Sequence, residues 1–392
     1  MKTQTIQLKT FLILPLIIFS FPSSAQWITG GFQFEGKTRQ YRIYVPPTYT
    51  ASKPASLVFG LYGLGGDMTS FSNFIAIKPI ADTANIIFVA PQAINAPGVG
   101  TAWNSGCNLS QFYPNNPYPN SNINDVGFMN ALIDTMTNKY AIDSEKIYCF
   151  GFSLGGYMTQ RLACELNNRI SSFASVAGTI GPGISNCNPG KAISVAHLHG
   201  TNDQTVTWNN NSFGIGVDSL ITFWVQNNQC NSTPIHTDLP NLKNDGFTVE
   251  TFLYKNTDPS SNAEVELFKV NGGGHSWLNS AVNDISYTTE IWKFFDKDNV
   301  HSTTFITDNT SKQKALIFPN PTADFVTIAL PVSSKAISLD IFNNLGQEVY
   351  SQSIQGVMFS FSLKERGLPK GVYLVRLRGE DSITTRKILY IE

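Results

Sequence analysis

One short turn constrains this chain more than any other stretch. Gly151-Phe152-Ser153-Leu154-Gly155 follows an apolar run, Lys146–Phe150, that reads as a buried strand. It opens a stretch of helical character, Gly156–Leu166. Passing from strand to helix in so few residues requires a sharp turn, and the small residues flanking the serine permit one. The hydroxyl then stands clear at the carboxyl end of a strand and the start of a helix. The N–H of the next residue, Leu154, is placed to donate into the same space. A bare G-x-S-x-G match is common, and Ser153 could be an ordinary turn serine; strand before and helix after give the match its weight.

Two more residues follow in the chain order serine, acid, histidine that α/β-hydrolase sheets use. Asp203 lies in His199-Gly200-Thr201-Asn202-Asp203, just past the strand-like run Ile193–His199. His275 lies in Gly272-Gly273-Gly274-His275-Ser276-Trp277, after the strand-like run Val265–Val270. Both therefore sit on loops leaving strand ends, where an open parallel sheet places its site. Of the five histidines, only His236, His275 and His301 follow Asp203, and His275 alone has the strand-then-glycine setting. Asn-Asp also favours plain turns, so a turn role for Asp203 and an inert loop role for His275 remain the competing readings. His197 and His199, in or at the end of a buried strand, read as hydrogen-bonded core histidines.

The rest of the chain supports an exported enzyme. Lys2 and Lys9 precede the apolar run Phe11–Phe21, and Ser23-Ser24-Ala25 supplies a small-residue cleavage site. That is a three-part signal peptide over residues 1–25, too short in its apolar run to span a bilayer. No other segment is as long and apolar, so no membrane span is expected in the mature protein. Its 27 basic and 28 acidic residues nearly cancel, which argues against nucleic acid or an anionic membrane as partner. Five cysteines in an exported chain permit disulfides and leave at least one free thiol. Cys149, inside the apolar strand before the serine, is the expected buried free thiol. Connectivity of the others stays open. No spacing resembles a zinc site, and no cysteine has the turn context of Ser153.

From residue 26 to 298 short apolar strands alternate with helical stretches. Ser56–Tyr62, Ile86–Ala90, Lys146–Phe150, Phe173–Ala177, Ile193–His199 and Val265–Val270 read as strands. Asp125–Tyr140, Val217–Asn227 and Tyr287–Phe295 read as helices. This alternation predicts a mostly parallel central sheet covered on both faces. Ile28–Phe34 and Thr38–Val45 alternate at period two around Gly36 and predict an antiparallel edge hairpin. Residues 299–314 are polar and read as a linker. Residues 315–392 hold five short runs split by Pro, Gly and Asn, predicting a small all-β sandwich without cysteine, histidine or tryptophan. Asn115–Asn124 reads either as a roof over the site or as a plain solvated loop.

Several motifs together resemble the secreted polyhydroxybutyrate-depolymerase-like and feruloyl esterases over roughly residues 30–298. They are Leu61-Tyr62-Gly63-Leu64-Gly65-Gly66, Ala102-Trp103-Asn104 with Cys107, Asp125-Val126-Gly127-Phe128, the serine turn continuing to Met158, and Arg161-Leu162-Ala163-Cys164-Glu165. Val176-Ala177-Gly178, His199–Asp203 and Gly274–Trp277 complete the set. The resemblance implies an α/β-hydrolase fold and a triad of Ser153, Asp203 and His275. It implies oxyanion donors at the N–H groups of Leu64 and Leu154, and no cofactor or metal. Where the family has His-Gly, this chain has Tyr62-Gly63, and after Trp277 it has Leu278-Asn279 in place of Pro-Gly. Tyr62, Trp103 and Trp277 are accordingly substrate-binding candidates. Residues 315–392 resemble the sorting domain of the type IX secretion system, through Phe318-Pro319-Asn320-Pro321-Thr322, Gly346, Gly371–Val375 and Lys387–Tyr390. That resemblance makes the secretion machinery the expected partner and the extracellular space or cell surface the destination.

The expected activity is serine-dependent ester hydrolysis, releasing feruloyl or acetyl groups from polysaccharide. Cleavage of short polyhydroxyalkanoates is the rival within that mechanism. A binding protein that has kept the fold without catalysis is the rival outside it, and a peptidase has no support in the residues.

Overall fold

The structure, a computed structural model, describes residues 26–184, 187–297, 316–318, 322, 324–329, 336–343, 346–353, 358–379 and 383–390. The expected signal peptide (1–25) and linker (299–314) lie outside the described residues. The chain divides into two compact units, Met1–Thr303 and Thr304–Glu392.

The first unit is built on strands β1 (Gln26–Phe34), β2 (Lys37–Val45), β3 (Ala55–Leu61), β4 (Ile86–Pro91), β7 (Ile142–Phe152), β8 (Ser172–Val176), β9 (Ser194–Gly200), β10 (Ile235–Asp238), β11 (Thr248–Lys255) and β12 (Glu264–Asn271), with a separate small hairpin of β5 (Ile94–Ala96) and β6 (Gly100–Ala102). Their order in the sheet is β1-β2-β4-β3-β7-β8-β9-β12-β11-β10. The six central strands, β4 to β12, run parallel. Two antiparallel strands close each edge. The expected N-terminal hairpin is one of those edges. The other edge is β10 and β11; β10 is exposed along its whole length, so the alternation that reveals a half-buried strand is missing there.

The central strands are buried on both faces, which is why they read as unbroken apolar runs. Helices α3 (Asp125–Lys139), α4 (Leu154–Glu165), α5 (Val217–Asn227) and α6 (Tyr287–Phe295) match the predicted helical stretches within two residues at each end. Two short helices, α1 (Met68–Phe74) and α2 (Lys78–Ala84), were not predicted; each is barely two turns, too short for a periodic stripe. Asp67 caps α1 by accepting from the N–H groups of Thr69 and Ser70. Phe59, Phe88, Phe150, Phe173 and Trp224 lie fully inside the core. Each such burial contributes roughly 1.5–3 kcal/mol before the entropy of ordering is subtracted.

Cys164, near the end of α4, is bonded to Cys187. Cys149 is a buried free thiol, as expected. Cys107, also buried, and Cys230 are free as well.

The second unit holds two antiparallel sheets, β13 (Leu316–Phe318)-β14 (Phe325–Ala329)-β17 (Met358–Ser362) and β16 (Glu348–Ser353)-β15 (Ala336–Phe342)-β18 (Gly371–Gly379)-β19 (Ile383–Tyr390). Val326, Ile328 and Phe361 of one sheet share a core with Leu339, Ile341 and Val375 of the other. The unit is the expected small sandwich, with β13 and β16 added.

Candidate active site

The strand order reverses direction between β3 and β7. From β3 the chain proceeds outward to β4, whereas from β7 it proceeds to β8, β9 and β12 on the other side. Loops leaving the carboxyl ends of strands at such a point diverge and leave a crevice. Gly63-Leu64 leaves β3 and Ser153 leaves β7.

Ser153 has φ 55° and ψ −121°, a backbone that L residues rarely hold. Its own N–H donates to Val176 O (2.8 Å) and its carbonyl accepts from Tyr157 N, so both ends of the strained residue are tied. The two glycines of the motif are required by proximity. A Cβ on Gly151 would lie 2.2 Å from the Gly155 carbonyl oxygen, and one on Gly155 would lie 2.2 Å from the Leu61 carbonyl oxygen. The helix therefore starts hard against β3 and β7, which is what aims the hydroxyl outward.

Asp203 follows β9 and His275 follows β12, neighbouring parallel strands. His275 Nε2 stands 2.9 Å from Ser153 Oγ, and Nδ1 stands 2.7 Å from Asp203 Oδ2. A carboxylate can only accept, so Nδ1 carries the proton and the Nε2 lone pair faces the hydroxyl. The His275 ring lies on Phe152 (centroids 5.0 Å apart), which fixes its plane. Asp203 is almost wholly buried. Its Oδ1 accepts from the N–H groups of Thr205 and Val206, both at 2.8 Å. Burial pushes its carboxyl pKa up, but the hydrogen bond and charge of His275 and the Val206 N–H more than offset that, leaving it below the usual value. Asp218, the other acid nearby in sequence, instead accepts from the Trp208 indole at 3.2 Å.

The N–H groups of Gly65 and Gly66 are taken by Thr101 O and Gly63 O. Leu64 N–H has no such backbone partner among the described residues, and Leu154 begins α4, where N–H groups have no intrahelical acceptor. An apolar cluster apart from the main core gathers Leu154 with Leu109, Val206 and Phe213, with Leu64 and Tyr113 against it. Phe112, half exposed, stacks on Phe213 at 5.4 Å.

The three aromatic substrate-binding candidates are placed differently from expectation. Tyr62, Trp103 and Trp277 are each at most 5% exposed and are committed internally. The Tyr62 hydroxyl accepts from Ala93 N–H (2.8 Å), and the Trp103 indole donates to Tyr62 O (3.0 Å). The Trp277 indole donates to Thr288 Oγ1 (3.2 Å), with its ring packed on Phe71, Phe150 and Tyr287. They brace the loops that carry Leu64 and His275 and offer a ligand no open face. Tyr62 thus supports the turn in which the resemblance would place a histidine.

Other motif residues form a second brace. Arg39 and Asp125, both fully buried, pair at 2.6 Å, and Asp125 Oδ2 also accepts from Asn104 N–H (2.7 Å). Arg161 on α4 donates to Asn104 O (2.7 Å) and pairs with Glu165. Trp103-Asn104, Asp125 and Arg161 are thereby one connected scaffold. Away from this region, His236, Asp238 and Glu250 bring ligand-type atoms within 4.8 Å of one another on an exposed edge, but Glu250 already holds Lys269 at 3.1 Å.

A mostly parallel sheet with these loops at its carboxyl edge is that of an α/β-hydrolase. Residues 48–256 match the phospholipase/carboxylesterase family model, and the chain belongs to that family. Residues 316–392 match the secretion system C-terminal sorting domain. The chain is 29% identical over 263 residues to feruloyl esterase C of Emericella nidulans, covering 66% of this chain and 83% of that protein. It is 30% identical over the same span to a probable feruloyl esterase C of Aspergillus terreus, with the same coverage. Among solved structures, an acetyl xylan esterase from Aspergillus awamori superposes with a TM-score of 0.48 at 16% identity, covering 69% of this chain and 98% of that one. The chain is a carboxylic-ester hydrolase.

Proposed function

We propose that this protein is an exported serine esterase that releases feruloyl groups from plant or algal polysaccharide. The observation that carries the mechanism is the unbroken sequence of contacts from Asp203 through His275 to Ser153. His275 takes the hydroxyl proton at Nε2 as Ser153 Oγ attacks the ester carbonyl. Asp203 holds the ring in that tautomer and offsets the charge it gains. The N–H groups of Leu64 and Leu154 hold the oxyanion, each worth ~3–4 kcal/mol of barrier if removed. His275 then gives its proton to the departing alcohol, and water, activated by the same ring, cleaves the acyl-enzyme.

Two things favour an aromatic acyl group: the named activity of the relatives, and the partly exposed side chains of Leu64, Phe112 and Tyr113, which form an apolar wall over the buried cluster around Leu154. A flat phenylpropenoyl group would bury against such a wall, whereas an acetyl group would leave it largely empty. The sorting-domain match and the signal-like residues 1–25 support export through the type IX machinery to the outside of the cell.

The deciding experiment compares a feruloylated arabinoxylan fragment, an acetylated xylan and a hydroxybutyrate trimer, each with wild type and Ser153→Ala. The expected outcome is fastest turnover of the feruloyl ester, lost in Ser153→Ala. Preference for acetylated xylan or the trimer would reassign the substrate, and undiminished turnover by Ser153→Ala would remove the mechanism.

A further inference from the structure

Behind Asp203 runs a chain of buried side chains that the ester chemistry does not use. The indole N–H of Trp224, on α5, donates to Gln160 Oε1 at 2.8 Å. Gln160 Nε2, on α4, donates to Ser175 Oγ at 2.7 Å. Ser175 and His197 are register partners on β8 and β9, and Ser175 Oγ lies 2.7 Å from His197 Nδ1. His197 Nε2 lies 3.0 Å from His199 Nδ1, on the same face of β9 two residues on. His199 Nε2 lies 2.8 Å from the carbonyl oxygen of Val206. All five side chains are fully buried.

The polarity of this chain is set at both ends. An indole N–H can only donate, which makes Gln160 present its oxygen to Trp224 and its NH₂ to Ser175. Ser175, receiving that donor, gives its own proton to His197 Nδ1. His197 must then carry its proton on Nε2 and donate to His199 Nδ1. His199 is left with its proton on Nε2, facing a carbonyl that can only accept. Every donor meets an acceptor, and each ring is satisfied as a neutral imidazole. Burial, acting on both rings, also disfavours their charged forms.

The terminal bond falls on the turn that holds the acid. Val206 accepts from His199 through its carbonyl and donates through its N–H to Asp203 Oδ1. His199 Nε2 is also 3.5 Å from Asp203 Oδ2, the oxygen that receives His275.

We propose that Trp224, Gln160, Ser175, His197 and His199 form a one-way hydrogen-bonded strut that presents His199 to the Asp203–Val206 turn as a neutral, Nε2-protonated ring and so aims the Asp203 carboxylate at His275. His199 is a positioning residue here, acting through Val206 and Asp203. This rests on the triad reading above, and its first test is independent of activity.

That test is ¹⁵N NMR of the imidazoles in the wild-type protein. The expected result is two neutral Nε2–H rings for His197 and His199; an Nδ1–H tautomer or a cation at either position would overturn the proposal. The second test compares His199→Gln, whose amide can still donate near the Nε2 position, with His199→Met, which cannot. His199→Met is expected to lower kcat on the order of 10–100-fold with KM unchanged, because the acid is misaimed, and His199→Gln to recover most of it. Equal rates for the two variants would overturn it. Labelling of Ser153 by a fluorophosphonate, absent in Ser153→Ala, separates the cases: if labelling fails the triad reading fails, while the tautomers still judge the strut.

Discussion

In the proposed mechanism Ser153, Asp203 and His275 divide one proton transfer among three loops, and the residues around them say how replacement will register. In Asp203→Asn, one amide oxygen cannot accept from His275 while its NH₂ faces the N–H groups of Thr205 and Val206 without conflict. The ring is pushed to the wrong tautomer, and kcat is expected to fall roughly 10⁴-fold, against roughly 10⁶-fold for Ser153→Ala. Steady-state kinetics on one ester, with circular dichroism to confirm folding, checks both. These three positions were legible in the sequence because glycine-bounded turns after apolar strands leave a local signature. The histidine strut was not: it depends on the Ser175–His197 register and on two helices, and no spacing encodes either. Tyr62, Trp103 and Trp277 misled for a related reason. An aromatic beside a motif looks like a binding surface until packing shows which way it faces.

Among the elements, the braces between strands and helices govern stability. Removing the Asp125 carboxylate would leave the Arg39 guanidinium buried without its partner, so Asp125→Ala is expected to cost ~3–5 kcal/mol. Arg39→Met combined with Asp125→Leu should recover a large part of that in chemical denaturation. Strand β12 offers a pH-dependent counterpart. Burial, with Glu264 and Glu290 nearby, raises Glu266 from 4.5 to about 7. Between those values the folded chain holds a proton that the unfolded chain has released, so stability falls as pH rises across that window. Glu266→Gln should therefore raise Tm at pH 8 and leave it unchanged at pH 4, as read by thermal melts. The apolar parallel strands announced themselves in the sequence; the edge strand β10, exposed along its whole length, did not.

For the molecule as a whole, the division of labour is between two units with separate cores. Every residue of the candidate site and its braces lies in the first. A chain ending at residue 303 is expected to keep the kcat/KM of the full protein, while losing export in the producing cell; activity assays on cell and medium fractions test the two parts together. The first unit also places its working groups far apart in the sheet. Ser153 leaves β7 and His275 leaves β12, three strand intervals away, or about 14 Å at the usual spacing. Between them β8 stops at Val176, and Gly178 is so close under Ser153 that a Cβ there would lie 2.4 Å from its carbonyl oxygen. That strand ends level with β7, Val176 opposite Phe152, and the loop from β12 reaches across beyond it to meet the serine. The proposed proton transfer across 2.9 Å hangs on a bridge whose piers stand several strands apart. A slight change in sheet twist, harmless to folding, would open the gap and be felt first as a lost rate.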